Sequence, residues 1–434
     1  VLDFRSLWKN ASWTSGSLIV TTALLLLETI VVARVLGATG LGLFVLIRAY
    51  PEAIQQVLDC RTRETMVKYL GEFVALDDRD RASAVVRLVW LVDAAAGLIA
   101  TTLVLGTASL AARYIVHDAS TAGLIALYSL SQFFGTLDSA SGSVLRVFDR
   151  FRLASMMGAW QSVGRFVGIG VVLLLGGGIA GLVGVLVAVE VVYTVSATFI
   201  TLRVLRRRID FRVRGGMSVL ETRRSEILKF LLHTNIAGTL KMSSDKLVTL
   251  IVGGVGGAGT AAIYKVASQA GSALMLFSDP FYSVIYPSLS QMVAREEWDG
   301  IFAGLRKLQR ITLSVAIPGA FLASVAMTFL IPMVYGGEFR PAVLPGIVIL
   351  WGMLPNVAFF WLRPLLLSLH EAGRLVNYRA IASSLQLVAT LALVRPAGAV
   401  GAAFSLLIMQ WLYAVLEMRL VGIRRRELLA EVAR

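Results

Sequence analysis

Apolar runs long enough to cross the roughly 30 Å hydrocarbon core of a bilayer recur along almost the whole chain. In the first half they fall at about 11–33, 41–62, 86–110, 121–144, 153–176 and 179–202. After a polar stretch they resume at about 229–252, 258–282, 311–335, 343–368, 379–395 and 398–418, the eleventh being short and closed by Arg395-Pro396. Lipid offers no partner to a backbone N–H or C=O, so a segment of this length and apolarity has to satisfy its own hydrogen bonds, as a helix does. The expected fold is therefore an all-α polytopic membrane protein of about 12 transmembrane helices. Composition agrees, with 57% hydrophobic and only 16% charged residues among 434, where soluble domains carry about 25% charge. A soluble enzyme is excluded, and a transporter rather than an enzyme is expected. The first run is too long, and too lacking in a small-residue cleavage site, to read as a removed leader.

The formal charge of +14 follows a topological pattern. Alternate connections, with the segment before the first run and the tail, hold 30 Lys and Arg, while the opposite side holds Arg34, Arg113, Arg340 and Arg395. The positive-inside rule then places both termini in the cytoplasm and the protein in the cytoplasmic (inner) membrane. Residues 1–202 read as an N-terminal lobe of six helices, 203–228 as a cytoplasmic basic linker, 229–418 as a C-terminal lobe and 419–434 as a cytoplasmic basic tail. The linker carries Arg206, Arg207, Arg208, Arg212, Arg214, Arg223 and Arg224, and we assign these to topology and lipid headgroups, not to nucleic acid. One cysteine, Cys60, and three histidines, His117, His233 and His370, leave no disulfide framework and no zinc cluster. No cofactor or metal is expected. Six helices per lobe, both lobes starting on the same side, imply a pseudo-twofold along the membrane normal. Glycine-rich turns before Phe44 and before Tyr264 suggest the same repeat.

Seven bases fall within the spans: Arg48, Arg61, Arg165, Lys241, Lys246, Lys265 and Arg363. Such residues are costly in lipid and are expected to face a bundle interior or a wet cavity. Spacing supports this. Arg48, Glu52, Gln55 and Asp59 share one helical face, as do Thr234, Gly238, Lys241 and Asp245, and as do Lys265, Ser268, Ser272 and Asp279. At 1.5 Å per residue Arg48, Lys265 and Asp245 lie about 10 Å below the outer surface. The same spans hold seven acids, Glu28, Glu52, Asp59, Asp138, Glu190, Asp245 and Asp279, so ion pairs within a helix, Arg48 with Glu52 or Lys241 with Asp245, are the alternative reading. Arg165 and Lys265 have no acid three or four residues away and are read as ligand-facing. A cavity lined by arginine and lysine suits a phosphate-bearing substrate, because charge-assisted hydrogen bonds replace the water it loses. Glu28 and Asp245 are candidates for ion coupling or gating, since intramembrane carboxylates carry protons or ions. Coupling to a proton or sodium gradient is accordingly expected.

Five segments carry a resemblance: ARVLGATGLGLFVLIRA at 33–49, DCRTRETMVKYLGEF at 59–73, SSDKLVTLIVGGVGGAGTAAIYKVASQ at 243–269, DPFYSVIYPSLSQM at 279–292 and YGGEFRPAVLPGIVIL at 335–350. Through them nearly the whole chain resembles the polysaccharide or oligosaccharide flippases of the multidrug/oligosaccharidyl-lipid/polysaccharide exporter superfamily. That resemblance implies two six-helix lobes around a cationic cavity. It also implies alternating-access movement of a polyprenyl-pyrophosphate-linked oligosaccharide to the outer leaflet, for cell-surface polysaccharide or lipopolysaccharide biosynthesis. By position Arg48, Lys241 and Lys265 would contact the pyrophosphate or sugars, and Asp245 would belong to the lobe-closing or ion-coupling network. The implied partners are the lipid-linked oligosaccharide, membrane lipids and the polysaccharide assembly machinery. Cys60 stands where the family usually has a glycine, and the related peptidoglycan-precursor flippases are expected to have fourteen helices. The competing reading is a cation-coupled multidrug exporter of the same superfamily, in whose cavity acids should dominate.

Overall fold

A computed structural model describes the backbone of residues 4–59, 62–211, 218–272, 285–286, 289–295 and 297–432. Side chains are described within 16–427, apart from 60–61, 212–218, 221–222, 224, 228, 232–245, 273–284, 287–288, 296 and 299. Among the described residues every regular element is helical. Eight helices there are long and apolar enough to cross a membrane, and the chain is a multi-pass membrane protein.

The first long helix, α1 (Phe4–Leu58), contains a non-helical residue, Gly37, at φ 68° and ψ −174°. This φ is open to glycine and strained for other residues. A straight helix would hold Glu28 and Arg48 about 30 Å apart, yet their side chains meet at 3.0 Å, so the chain doubles back at Gly37. Two short helices, α2 (Thr62–Thr65) and α3 (Gly71–Ala75), flank a π-helical turn at Met66–Leu70. Next come α4 (Arg79–Ala111), α5 (Ala122–Val147), α6 (Phe151–Leu174) and α7 (Gly178–Ile209). The start of α4 comes from the acidic loop: Asp78 accepts a hydrogen bond from the Arg81 backbone N–H at 3.0 Å, a helix N-cap. Beyond the predicted end of the sixth span, α7 continues for about two turns through Arg206, Arg207 and Arg208.

The next helix, α8 (Glu221–Gly271), breaks helical geometry at Gly257, with φ 80° and ψ 174°. Gly37 and Gly257 thus share one backbone conformation, and each precedes an aromatic, Phe44 or Tyr264, by the same seven residues. The glycine-rich turns are alike in geometry as well as in composition. Further on lie α9 (Trp298–Tyr335), α10 (Val343–Ala358), α11 (Leu362–Ser368) and α12 (Ala372–Val432). The run predicted over 343–368 is interrupted between α10 and α11. Pro364 in the first turn of α11 has no N–H to offer the carbonyl of Phe360, so the break falls where proline is tolerated. In α12 the reversal comes at Gly398 (φ 53°), three residues past Arg395. The Thr390 and Ser405 hydroxyls hydrogen-bond at 2.7 Å across that bend.

The chain forms two compact units, Val1–Leu36 with Leu43–Lys246, and Gly37–Gly42 with Leu247–Arg434. In the first, α5 packs against α4 and α7, and α6 against α7. A core of Met66, Tyr69, Leu70, Phe73, Val85, Val89, Val144, Leu205 and Ile209 takes in Phe211, Leu220 and Ile227 from the segment before and into α8. Burial of side chains such as Tyr69 and Phe73 stabilises by about 1.5–3 kcal/mol each. In the second unit α12 packs against α10 and α11, and α9 against α10. The hairpin tip Gly37–Gly42 belongs to this unit: the Ala38 N–H donates to Glu338 Oε2 at 3.0 Å, and a Cβ on Gly42 would fall 1.8 Å from the Ala258 carbonyl oxygen.

Candidate functional site

A cleft of about 460 Å³ opens within the first unit. The second limb of α1 brings Arg48, Glu52 and Gln55 to it, Asp59 follows directly after the helix end, and all four stripe residues line the wall. From α5 come Tyr128, Ser131, Gln132, Gly135 and Ser139, again spaced by three and four residues. Gln161 and Arg165 enter from α6, Glu190 from α7 and Lys246 from α8. This polar face explains why α5, though 26 residues long, is absent from the helices apolar enough to span by themselves.

Charge in the cleft is organised around two glutamates. Glu28, on the first limb of α1 and 5% exposed, accepts from Arg48 Nη1 at 3.0 Å and from Arg165 Nη2 at 2.8 Å, while Arg165 Nε lies 2.7 Å from its other oxygen. Glu52 is bonded by the Tyr128 hydroxyl at 2.8 Å and by the Lys246 ammonium, and Arg48 Nε approaches it at 3.5 Å. The Arg48 guanidinium also lies over the Phe44 ring, 5.0 Å from its centroid. Within this cluster three cations thus share two carboxylates, while Arg63, Asp59 and Glu190 also line the cleft. Among the three cations, Lys246 is the most accessible, at 42% against 19% for Arg48.

On the α7 side the character changes. Glu190 accepts from the Gln161 amide at 2.9 Å, and Asp138 is hydrogen-bonded to Tyr193. Space for the Glu190 carboxylate comes from Gly135, where a Cβ would stand 3.2 Å from Oε1. Neither acid is held in an ion pair within 4 Å among the described residues. No group of three His, Cys, Asp or Glu side chains there is placed to hold a metal ion.

Of the residues singled out from the sequence, Arg48, Arg165 and Glu28 come together. The acid that Arg165 lacks on its own helix is supplied by α1. Lys265 lies half-buried on α8 in the second unit, engaged by neighbouring groups. The side chains of Lys241 and Asp245 lie outside the described residues, as does Asp279. Sequence reasoning passed over Lys246 and Tyr128 as site residues. The spacing of Tyr128, Ser131 or Gln132, Gly135 and Ser139 is a readable signal, whereas nothing local marks Lys246 as the partner of Glu52.

Structures with a similar fold are transporters of the MOP superfamily. An inward-facing multidrug resistance MATE family transporter matches with a TM-score of 0.72 at 14% identity, over 94% of this chain and 95% of that one. The lipid II flippase MurJ in an inward closed conformation matches with a TM-score of 0.74 at 14% identity, over 94% and 87%. A MOP superfamily transporter from Pyrococcus furiosus, described as having a binding pocket of reverse polarity, matches with a TM-score of 0.60 at 14% identity, over 97% and 96%. No curated protein sequence matches. The family model described as "Polysaccharide biosynthesis protein" matches residues 72–344, more than half of the chain and parts of both units. The chain therefore belongs to that polysaccharide biosynthesis family and carries the fold of the MOP superfamily transporters.

Proposed function

We propose that this protein is a transporter that flips a polyprenyl-pyrophosphate-linked oligosaccharide across the cytoplasmic membrane by alternating access, for cell-surface polysaccharide biosynthesis. The observation that carries the reading is the cluster of Arg48, Arg165 and Lys246 around Glu28 and Glu52, on the helices that line the cleft. A guanidinium already oriented by a glutamate is placed to bind an anion: a pyrophosphate can take the carboxylate's position once that carboxylate is protonated or finds another partner. A volume of about 460 Å³ suits a headgroup-sized moiety, in the size range of small-ligand sites. Membership of a polysaccharide biosynthesis family and the fold shared with a lipid II flippase favour this substrate class over a drug cation. In the same reading Glu28 acts as a gate, releasing its arginines when substrate enters. By position in the family resemblance, Lys241 and Lys265 are further candidates for substrate binding, and Asp245 for closure or coupling to a proton or sodium gradient. The positive-inside count supports cytoplasmic termini, and polysaccharide assembly enzymes are the expected partners.

The test places the purified protein in liposomes with a fluorescent polyprenyl-pyrophosphate oligosaccharide and follows its leaflet accessibility. Movement by the wild type, lost in Arg48→Ala, Arg165→Ala and Lys265→Ala, is the expected result. Movement that survives all three keeps flipping and discards the site. No movement under imposed proton and sodium gradients overturns the reading.

A further inference from the structure

A second polar feature lies in the other unit and is independent of what the cleft carries. The limbs of α12 run antiparallel from Gly398, and the Thr390–Ser405 hydrogen bond sets their register. One turn further from the bend Gln386 comes level with Gln410, then Ser383 with Tyr413, then Arg379 with Glu417. The Arg379 guanidinium lies 5.2 Å from the centroid of the Tyr413 ring, in keeping with that register. Residues 379, 383, 386 and 390 share one helical face, so a polar seam runs between two limbs of a membrane helix.

Ser383, Gln386, Gln410 and Glu417 are deeply buried, and each has a side-chain polar atom with no protein partner. Gln386 is 1% exposed and both amide atoms lack a partner; Ser383 Oγ, Gln410 Oε1 and Glu417 Oε1 also lack one, on side chains 6–7% exposed. Arg379 Nε, at the Glu417 end, is a further unpartnered donor. Buried polar atoms with no protein partner are the setting in which internal water is found, and each such water needs two to four polar neighbours. The seam offers donors (Arg379 Nε, the Gln386 amide nitrogen) interleaved with acceptors (Gln410 and Glu417 oxygens). Water uses both kinds. A bare metal cation would leave the donors unmade and would be repelled by Arg379.

We propose that this seam holds a file of internal water running from Arg379 and Glu417 toward the Thr390–Ser405 pair, and that Glu417 exchanges a proton with it. On uptake an O–H bond forms on the carboxylate as one breaks on the adjacent hydronium, and release reverses both. The groups facing Glu417 are Tyr413 on its own limb, Arg379 on the other limb and Arg363 on α11; α10 carries no titratable side chain.

The experiment uses the full chain in nanodiscs, in buffers with and without sodium, and combines hydroxyl-radical footprinting with an infrared titration. Met353, whose sulfur meets the Gln410 amide at 3.7 Å, should oxidise several-fold faster than Met409, which is 1% exposed. The difference should vanish in Gln386→Leu with Gln410→Leu. A titrating carboxylic-acid band should be present in the wild type and missing in Glu417→Gln, and Ser383→Ala, a smaller change, should slow Met353 oxidation if the double variant does not fold. Equal oxidation of Met353 and Met409 in the wild type, protection of Met353 by sodium, or a titrating band that persists in Glu417→Gln would each overturn the proposal.

Discussion

In the first unit Glu28 and Glu52 each meet a cation across a helix interface, and Arg48 is shared between them. In the second, the α12 seam places neutral amides and a hydroxyl between its limbs with hydrogen bonds to protein open, and carries Arg379 and Glu417 at one end. Charge explains the difference. Arg165 and Lys246, costly alone in a low-dielectric interior, each meet a carboxylate from another helix, whereas Glu190 and Asp138 are met by neutral hydrogen-bond donors. A neutral amide tolerates an imperfect neighbour, because a single water satisfies it. The ionic site is therefore held by side chains already in place, and the uncharged stretch of the seam is left for water to satisfy.

The sharpest way to break this comparison is Glu28→Gln, which leaves Arg48 and Arg165 facing each other without their shared acid. Loss of one member of a buried pair costs about 3–5 kcal/mol, and denaturant unfolding in detergent should register a change of that order. Gly401→Ala attacks the other region sterically, since the new Cβ would stand 2.1 Å from the Leu393 carbonyl oxygen. Overpacking of this kind costs about 1–3 kcal/mol, and the same measurement should show it, with footprinting reporting a widened seam. Gly257→Ala meets no neighbouring atom and is strained only by its positive-φ extended backbone, a cost of about 1–3 kcal/mol. Gln386→Leu should change stability by less than about 1 kcal/mol, because the bonds it removes are to water; a cost as large as that of Glu28→Gln would erase the contrast.

The smallest effect lies outside both regions, at the start of α8. Hydrogen bonds from Arg223 and then Tyr69 hold the exposed Glu226 carboxyl below its ordinary pKa. A depressed acid contributes stability that is complete above its unfolded value and lost as pH falls through its folded one. Glu226→Gln should accordingly lower stability slightly at neutral pH and flatten the acid limb of a stability-versus-pH curve, leaving the most acidic end unchanged.

How much of this was legible in the sequence depends on the range of the interaction. The apolar runs and the Arg48, Glu52, Gln55, Asp59 stripe follow from the period of one helix and could be read directly. So could the turn glycines, because only their φ was missing. The partners of Arg165 and Lys246 could not, since Glu28 and Glu52 lie 137 and 194 residues away in the chain and no local pattern links them. The α12 seam was hidden for another reason: Ser383, Gln386, Thr390, Ser405 and Gln410 are uncharged residues scattered through a strongly apolar run, and only the bend at Gly398 turns them toward each other.

The polarity that α5 lends to the cleft also bears on how the protein is made. A nascent segment leaves the translocon for lipid when its own side chains favour that transfer, and α5 exposes tyrosine, glutamine, serine, threonine and aspartate along one face. Its stable neighbours are α4, synthesised before it, and α7, synthesised some thirty residues later. Membrane entry of α5 must therefore be collective, with the segment retained beside α4 until α6 and α7 arrive to cover it. Truncation of the nascent chain just after α5 would leave that segment stranded at the insertion machinery, a vulnerability written by the same residues that line the cleft.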